Sequence, residues 1–209
     1  VFSGIIRHRG VVTVLNKSLL KGSEGCAVKI TSDLFNTSIN TGDSISVQGV
    51  CLTVSSIQNG EAEFHLSGET LRRTSFFSML LSDTTSVPKV HLEPSLKLGD
   101  TIDGHFVYGH VDGIAHVISK VSEGETWKFE FGTEVSLFPY LAPKGSVSLD
   151  GVSLTIGESL TREGKSVFSA YIIPHTFIET CFSEYEAGSV LNLEIDPMAR
   201  YAVHAVTSK

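Results

Sequence analysis

Apolar residues in this chain alternate with polar ones over short stretches and seldom recur at helical spacing. Segments 44–56, 62–66, 90–92, 127–131 and 166–173 carry apolar side chains at roughly every second position, the period of a strand with one face in a core. Between them fall Thr41-Gly42-Asp43, Asn59-Gly60, Leu98-Gly99-Asp100, Arg162-Glu163-Gly164 and Ala187-Gly188, turn residues at the spacing of all-β sandwiches and small barrels. Short helical pieces are predicted only around 33–35 and 134–141. The pattern predicts a mainly β protein, and a closed six-stranded barrel in each half would leave no exposed edges.

The chain also repeats itself. Ile45-Ser-Val-Gln-Gly-Val-Cys51-Leu-Thr-Val54 returns as Val147-Ser-Leu-Asp-Gly-Val-Ser153-Leu-Thr-Ile156, a period of about 100 residues that fits a small domain and not a solenoid. Leu92-Glu93 matches Leu193-Glu194, Gly10-Val11 matches Gly113-Ile114, and Thr70-Leu71 with Thr74 matches Thr176-Phe177 with Thr180. Two domains are therefore expected, at 1–97 and 98–197, with a tail at 198–209. In the repeated motif, residues two apart share a face. Cys51 and Thr53 point one way and Val50, Leu52 and Val54 the other, while Ser153 and Thr155 take the polar face of the second copy. Gly49 and Gly151 precede these strands and allow close approach of another group. A polar strip beside an apolar core suits a flat heteroaromatic ligand. Exchange of the Cys51 thiol for the Ser153 hydroxyl suggests that two similar pockets have different tasks.

Composition narrows the function classes. With 209 residues and 41% hydrophobic content, two modest cores can form without metal or disulfide staples. Net charge is −7 and the 16 Lys and Arg are scattered, which argues against a nucleic-acid partner. Three cysteines, Cys26, Cys51 and Cys181, have no close spacing, so neither a disulfide framework nor a zinc knuckle is expected. No apolar run approaches the roughly 20 residues that span a bilayer, and no export signal is read at the N-terminus; a cytoplasmic protein is expected. His105 and His110 lie in the richest polar cluster, 104–113. On a regular strand their spacing puts them on opposite faces, which disfavours a shared metal, although either ring can exchange protons near neutrality. Lys144 and Asp150 flank the second motif, and Glu69-Thr70 and His175-Thr176 close the later strands.

Together with Phe2-Ser-Gly-Ile-Ile6, Gly68-Glu-Thr-Leu-Arg-Arg-Thr74, Ile173-Pro-His-Thr176 and Leu191-Asn-Leu-Glu-Ile-Asp196, these motifs resemble the α-chain riboflavin synthase family, in order and over roughly residues 2–201. The resemblance implies two similar six-stranded, Greek-key-like lumazine-binding β-barrels in tandem, with short helices and a short C-terminal helical tail. It implies dismutation of two 6,7-dimethyl-8-ribityllumazine molecules to riboflavin and 5-amino-6-ribitylaminouracil by four-carbon transfer, the last step of riboflavin biosynthesis. No metal or redox cofactor is implied, since donor and acceptor are one compound. The site is expected between the N-terminal barrel of one subunit and the C-terminal barrel of its neighbour in a homotrimer.

Carried onto this chain, the resemblance places Gly4, Ile5 and Ile6 at the ligand of the C-terminal barrel, with Ser153, Leu154, Thr155, Ile173, Pro174, His175, Thr176, Phe177 and Ile178. The opposed face comprises Cys51, Leu52, Thr53, His65, Leu66, Ser67, Gly68, Glu69, Thr70, Gly109, His110 and Val111, with Lys144 reaching across the subunit boundary. The reaction needs a proton removed from the lumazine C7 methyl and a nucleophile added at C7 of the donor. His110 is assigned the proton transfers, and Cys51 and Ser44 organise or supply the nucleophile. The rival reading is a non-catalytic lumazine or flavin carrier of the antenna type. A duplicated barrel without a ligand is the third.

Overall fold

The computed structural model describes residues 1–15, 25–81 and 88–208. Strands β1 (His8–Val14), β2 (Cys26–Thr31), β3 (Ser44–Val47), β4 (Val50–Gln58), β5 (Glu61–Leu66) and β6 (Lys89–Pro94) close a barrel in the order β1-β2-β5-β4-β3-β6. Strands β7 (Gly113–Glu123), β8 (Thr126–Glu134), β9 (Ser146–Leu149), β10 (Val152–Arg162), β11 (Lys165–Ile172) and β12 (Val190–Ile195) close a second barrel with the same order, six strands on. In each, three hairpin-linked strands are followed by one that returns beside the first of them, the Greek-key connection. Helices α1 (Gly68–Arg73) and α3 (Pro174–Glu179) follow the third hairpin strand of each barrel. Helices α2 (Phe76–Leu81) and α4 (Pro197–Thr207) complete the described helices, and 3-10 turns occupy Asp33–Asn36, Val135–Tyr140 and Cys181–Glu184. Among the described residues no helix is long and apolar enough to cross a membrane.

The expected alternation is present in β4, where Val50, Leu52 and Val54 are buried and Thr53 is exposed. Inward residues such as Val28, Ile45, Phe64 and Leu92 build one core, and Phe129, Val147, Phe168 and Leu193 the other. Each fully buried side chain of this size contributes roughly 1.5–3 kcal/mol, and truncating Phe64 to Ala would cost about 3–5 kcal/mol. The stretch read as one run over 44–56 is two strands. Gln48 and Gly49, at φ 50° and 77°, form a two-residue turn, and Asp150 and Gly151 repeat it at 49° and 85°, the left-handed pair that matches strand twist in a tight hairpin.

These two turns meet back to back. A Cβ on Gly49 would lie 2.5 Å from the backbone nitrogen of Gly151, so the close approach expected at both glycines is made by the other copy's turn. Around this contact the halves exchange matching hydrogen bonds. His91 N donates to Gln48 Oε1 at 2.9 Å, and Asn192 N donates to Asp150 Oδ1 at 2.8 Å. Across the interface Asn192 Nδ2 donates to Gln48 O, while His91 Nδ1 bonds Asp150 O, both at 2.8 Å. Ser75 N then donates to Asn192 Oδ1, and Cys181 N donates to His91 Nε2, both at 2.7 Å. Tyr185 breaks the symmetry. Its hydroxyl accepts from Gln48 Nε2 at 2.9 Å and donates to Asp150 Oδ2 at 2.7 Å.

The segments preceding each barrel are crossed. Phe2 and Val107 pair in an antiparallel bridge, after which Ile6 enters the core of the second barrel and Val111 packs on the core of the first. Each barrel is thus completed by a segment that leads into the other.

Candidate functional site

Two polar strips result, one on the outside of each barrel. In the first, ladder pairing sets Ser44 beside Thr53 and Ser46 beside Cys51. In the second, Ser146 stands beside Thr155 and Ser148 beside Ser153. The crossed segments form the adjoining walls. Gly109 O accepts from Cys51 N at 2.9 Å, and Gly4 O accepts from Ser153 N at 2.8 Å. Both glycines have positive φ, 74° and 77°, and a Cβ would fall 2.5 Å from Cys51 N or 2.7 Å from Ser153 Cβ. Any larger residue would push the wall off its strip.

Two buried glutamates hold these walls. Glu194 accepts from the backbone N–H of Tyr108, Gly109 and His110 at 2.7, 2.8 and 3.2 Å. Glu93 accepts from Ser3 N, Ser3 Oγ and Gly4 N at 2.8, 2.8 and 3.0 Å. Burial raises the pKa of both carboxyls, and the N–H donors oppose it.

The candidate site residues sort accordingly. Cys51, Thr53, His65, Ser67, Gly68, Glu69, Thr70, Gly109, His110 and Val111 gather along the first strip, its neighbouring strand β5, helix α1 and the crossed segment. Gly4, Ile5, Ser153, Thr155 and the run Ile173, Pro174, His175, Thr176, Phe177 and Ile178 gather along the second. The side chains of Leu52, Leu66, Leu154 and Ile6 face the cores, at 6%, 2%, 8% and 6% exposure, so only their backbone borders a strip. Glu69 reaches along α1 to Arg73 at 3.1 Å. Ser44 is half-buried beside Thr53. The exposed His110 ring stacks on Tyr108 with centroids 6.0 Å apart, and among the described residues it has no hydrogen bond to Cys51 or Ser44. Lys144 is exposed at φ 67° in the turn before β9, the place of Gly42 in the first half.

Three further residues stand near the strips: His105, whose ring the sequence marks as able to exchange protons without assigning it a place in the site, and Tyr171 and Trp127, which no motif marks. His105 Nδ1 lies 2.7 Å from Ser153 Oγ, while its Nε2 is buried without a partner among the described residues, and burial pulls its pKa below the ordinary histidine value. The residues 104–113 are not a continuous strand, so strand alternation does not govern His105 and His110. Tyr171 is the counterpart of His65, since Val54 pairs with Phe64 and Ile156 pairs with Ala170; carrying the repeat through to β11 would have found it. Trp127, at the start of β8, stacks on Phe177.

Comparison with known proteins bears on both halves. The family model described as the lumazine binding domain matches residues 3–93 and again 108–196. The riboflavin synthase of Brucella abortus is 38% identical over 207 residues, covering 97% of this chain and 96% of that protein. Those of Bacillus subtilis and Chlamydia pneumoniae are each 35% identical, covering 96% and 99% of this chain and 87% and 95% of those proteins. Among solved structures, LumP complexed with riboflavin superposes with a TM-score of 0.78 at 21% identity, over 93% of this chain and 99% of that one. LumP complexed with 6,7-dimethyl-8-(1'-D-ribityl) lumazine gives 0.73 at 20%, over 93% and 98%; at such identities the likeness speaks to the fold. With two copies of one domain and full-length relatives of one name, the chain belongs to the riboflavin synthase family, built from two lumazine binding domains.

Proposed function

We infer that this protein catalyses the dismutation of two 6,7-dimethyl-8-ribityllumazine molecules to riboflavin and 5-amino-6-ribitylaminouracil. The observation that carries the reading is the pair of matching polar strips, each completed by a segment from the other half and differing at Cys51 and Ser153. One strip holds a lumazine as acceptor of the four-carbon unit and the other holds its donor. Bringing two flat rings together in fixed orientation removes much of the entropic barrier. His110 exchanges the C7-methyl proton, and Cys51 and Ser44 organise or supply the nucleophile at the first strip. At the second, the neutral His105 ring orients the Ser153 hydroxyl, which fits proton exchange with the lumazine held there.

The reading includes a homotrimer in which the first strip of one subunit faces the second strip of the next, and a cytoplasmic setting. Helix α4 supports assembly, for Met198, Tyr201 and Val206 are 72%, 72% and 75% exposed on a terminal helix. An apolar stripe of this kind suits contact with other copies. The deciding experiment mixes purified protein with 6,7-dimethyl-8-ribityllumazine alone and follows both compounds by absorbance. Turnover yielding one riboflavin per two lumazines is the expected result. Ligand bound but unchanged at high protein concentration would refute it in favour of a carrier.

A further inference from the structure

Helices α1 and α3 follow the same hairpin in the two barrels but are fastened differently. The first turn of α1 is capped by Ser67, whose Oγ accepts from Thr70 N at 3.0 Å and meets Thr70 Oγ1 at 2.9 Å. Ile173 stands at that position in α3 and offers no side-chain cap. The sole tryptophan of the chain supplies a different anchor. Trp127 lies opposite Ile172 in the ladder, and its ring stacks on Phe177 with centroids 3.6 Å apart and planes 4° from parallel. The Lys120 ammonium lies 5.2 Å from the centroid of the same Phe177 ring. That ammonium is held by Tyr185 O at 2.9 Å, Ser183 O at 3.2 Å and Glu186 Oε1 at 2.8 Å.

Among the described residues the first barrel shows no such column. Cys26 pairs with Leu66 as Trp127 pairs with Ile172, and Leu71 is the repeat counterpart of Phe177, so the matching pair is a buried thiol and a buried leucine. A stacked pair adds direction to burial, because it fixes ring planes as well as separation. Phe177 sits one residue beyond Thr176, on the helix whose start adjoins the second strip.

We propose that Trp127 is a positioning residue for the second barrel's ligand site, its stack with Phe177 holding α3 so that Ile173 and Thr176 stand where a lumazine is bound. This rests on the lumazine-binding reading and deepens it. The aromatic column does for α3 what the serine cap does for α1, and it preorganises one site independently of the other.

Full-length wild type, W127L and W127F are compared by equilibrium dialysis with riboflavin, the product, which the dismutation does not consume, and by amide hydrogen exchange. The W127L variant keeps apolar bulk without the stack. It is expected to weaken one of two sites about tenfold and to leave the other unchanged. Exchange should quicken at Phe177 N and Thr180 N, which donate to Ile173 O and Thr176 O, while Leu71 N and Thr74 N in α1 stay protected. W127F should restore both readouts. Unaltered affinity in W127L would overturn the proposal, as would W127F being as impaired as W127L. If W127L loses protection throughout the second barrel, F177L, which installs the leucine of the first half, takes its place under the same criteria. A wild type that neither takes up riboflavin nor converts 6,7-dimethyl-8-ribityllumazine would instead refute the functional reading.

Discussion

Replacing His91 by asparagine, the residue its counterpart Asn192 already carries, isolates one buried titration. The His91 ring bonds Asp150 O through Nδ1 and accepts from Cys181 N at Nε2, so it is the neutral tautomer with its proton on Nδ1. Burial is the main reason its pKa falls from 6.5 to about 4; Arg9 acts in the same direction, and the Asp150 carbonyl and Glu184 oppose it. Between those values the unfolded chain binds a proton that the folded chain refuses. The contribution of His91 to stability therefore falls as pH drops from 6.5 towards 4. The full interval is worth about 3 kcal/mol, of which about 2 kcal/mol is expressed between pH 7 and 4.5. Asp150 runs the other way. Burial raises its pKa from 3.8 to about 7, so the folded chain keeps a proton the unfolded chain has released, and stability falls as pH rises through that window. Subtracting the wild-type curve from the H91N curve cancels Asp150 and leaves His91. At pH 7 H91N should be about 1 kcal/mol less stable, because the shorter side chain releases Cys181 N. At pH 4.5 it should be about 1 kcal/mol more stable. Urea melts at pH 7, 5.5 and 4.5 measure this crossing. A constant offset across the three would refute the assignment of His91 as a buried neutral acceptor.

G109A should cost about 1–3 kcal/mol through its left-handed backbone and should weaken ligand binding at the first strip, read by urea melts and riboflavin titration. E194Q leaves three backbone N–H groups sharing one amide oxygen in place of a carboxylate. It should lose about 1–3 kcal/mol and loosen the first strip's wall, whereas E93Q should loosen the second, as hydrogen exchange at residues 108–110 and 3–4 would reveal. S153A removes the partner of His105 Nδ1 and is expected to lower kcat about a hundredfold and stability by about 1–3 kcal/mol; an unaltered kcat would exclude the pair from chemistry. Introducing glutamate at Met198 and Tyr201 should reduce the assembled mass seen by sedimentation.

The repeat, the polar strip and the outward Cys51 and Thr53 were legible because each barrel exposes the outer face of β4 and β10, so strand alternation survives in the sequence. Alternation fails in β6 and β12. His91 and Glu93 are buried opposite the core, as are Asn192 and Glu194, because the other half covers that face. Glu93, Asn192 and Glu194 stand within repeated motifs, whereas His91 does not, and no motif reveals the work of joining two halves and holding two walls. The crossing of 2–6 and 105–111 is equally silent, since it depends on which barrel each segment visits. His105 has no counterpart within this sequence, and so the repeat that located Ser153 could not locate its partner.

Halves of one fold that meet through matching turns carry a hazard, for a second barrel could dock on the second barrel of another molecule. The inequivalence at the axis discriminates against that. Gln48 supplies the donor that Tyr185 accepts, and Asp150 is the only carboxylate of the four matched positions. Two second halves placed together would set two Asp150 carboxyls against one another with neither Gln48 amide present, leaving buried polar groups without their partners, an arrangement that costs more than it gains. Divergence after duplication has thus converted a surface able to bind itself into one that recognises its sibling, and correct pairing within one chain is written into a glutamine, a histidine and an aspartate.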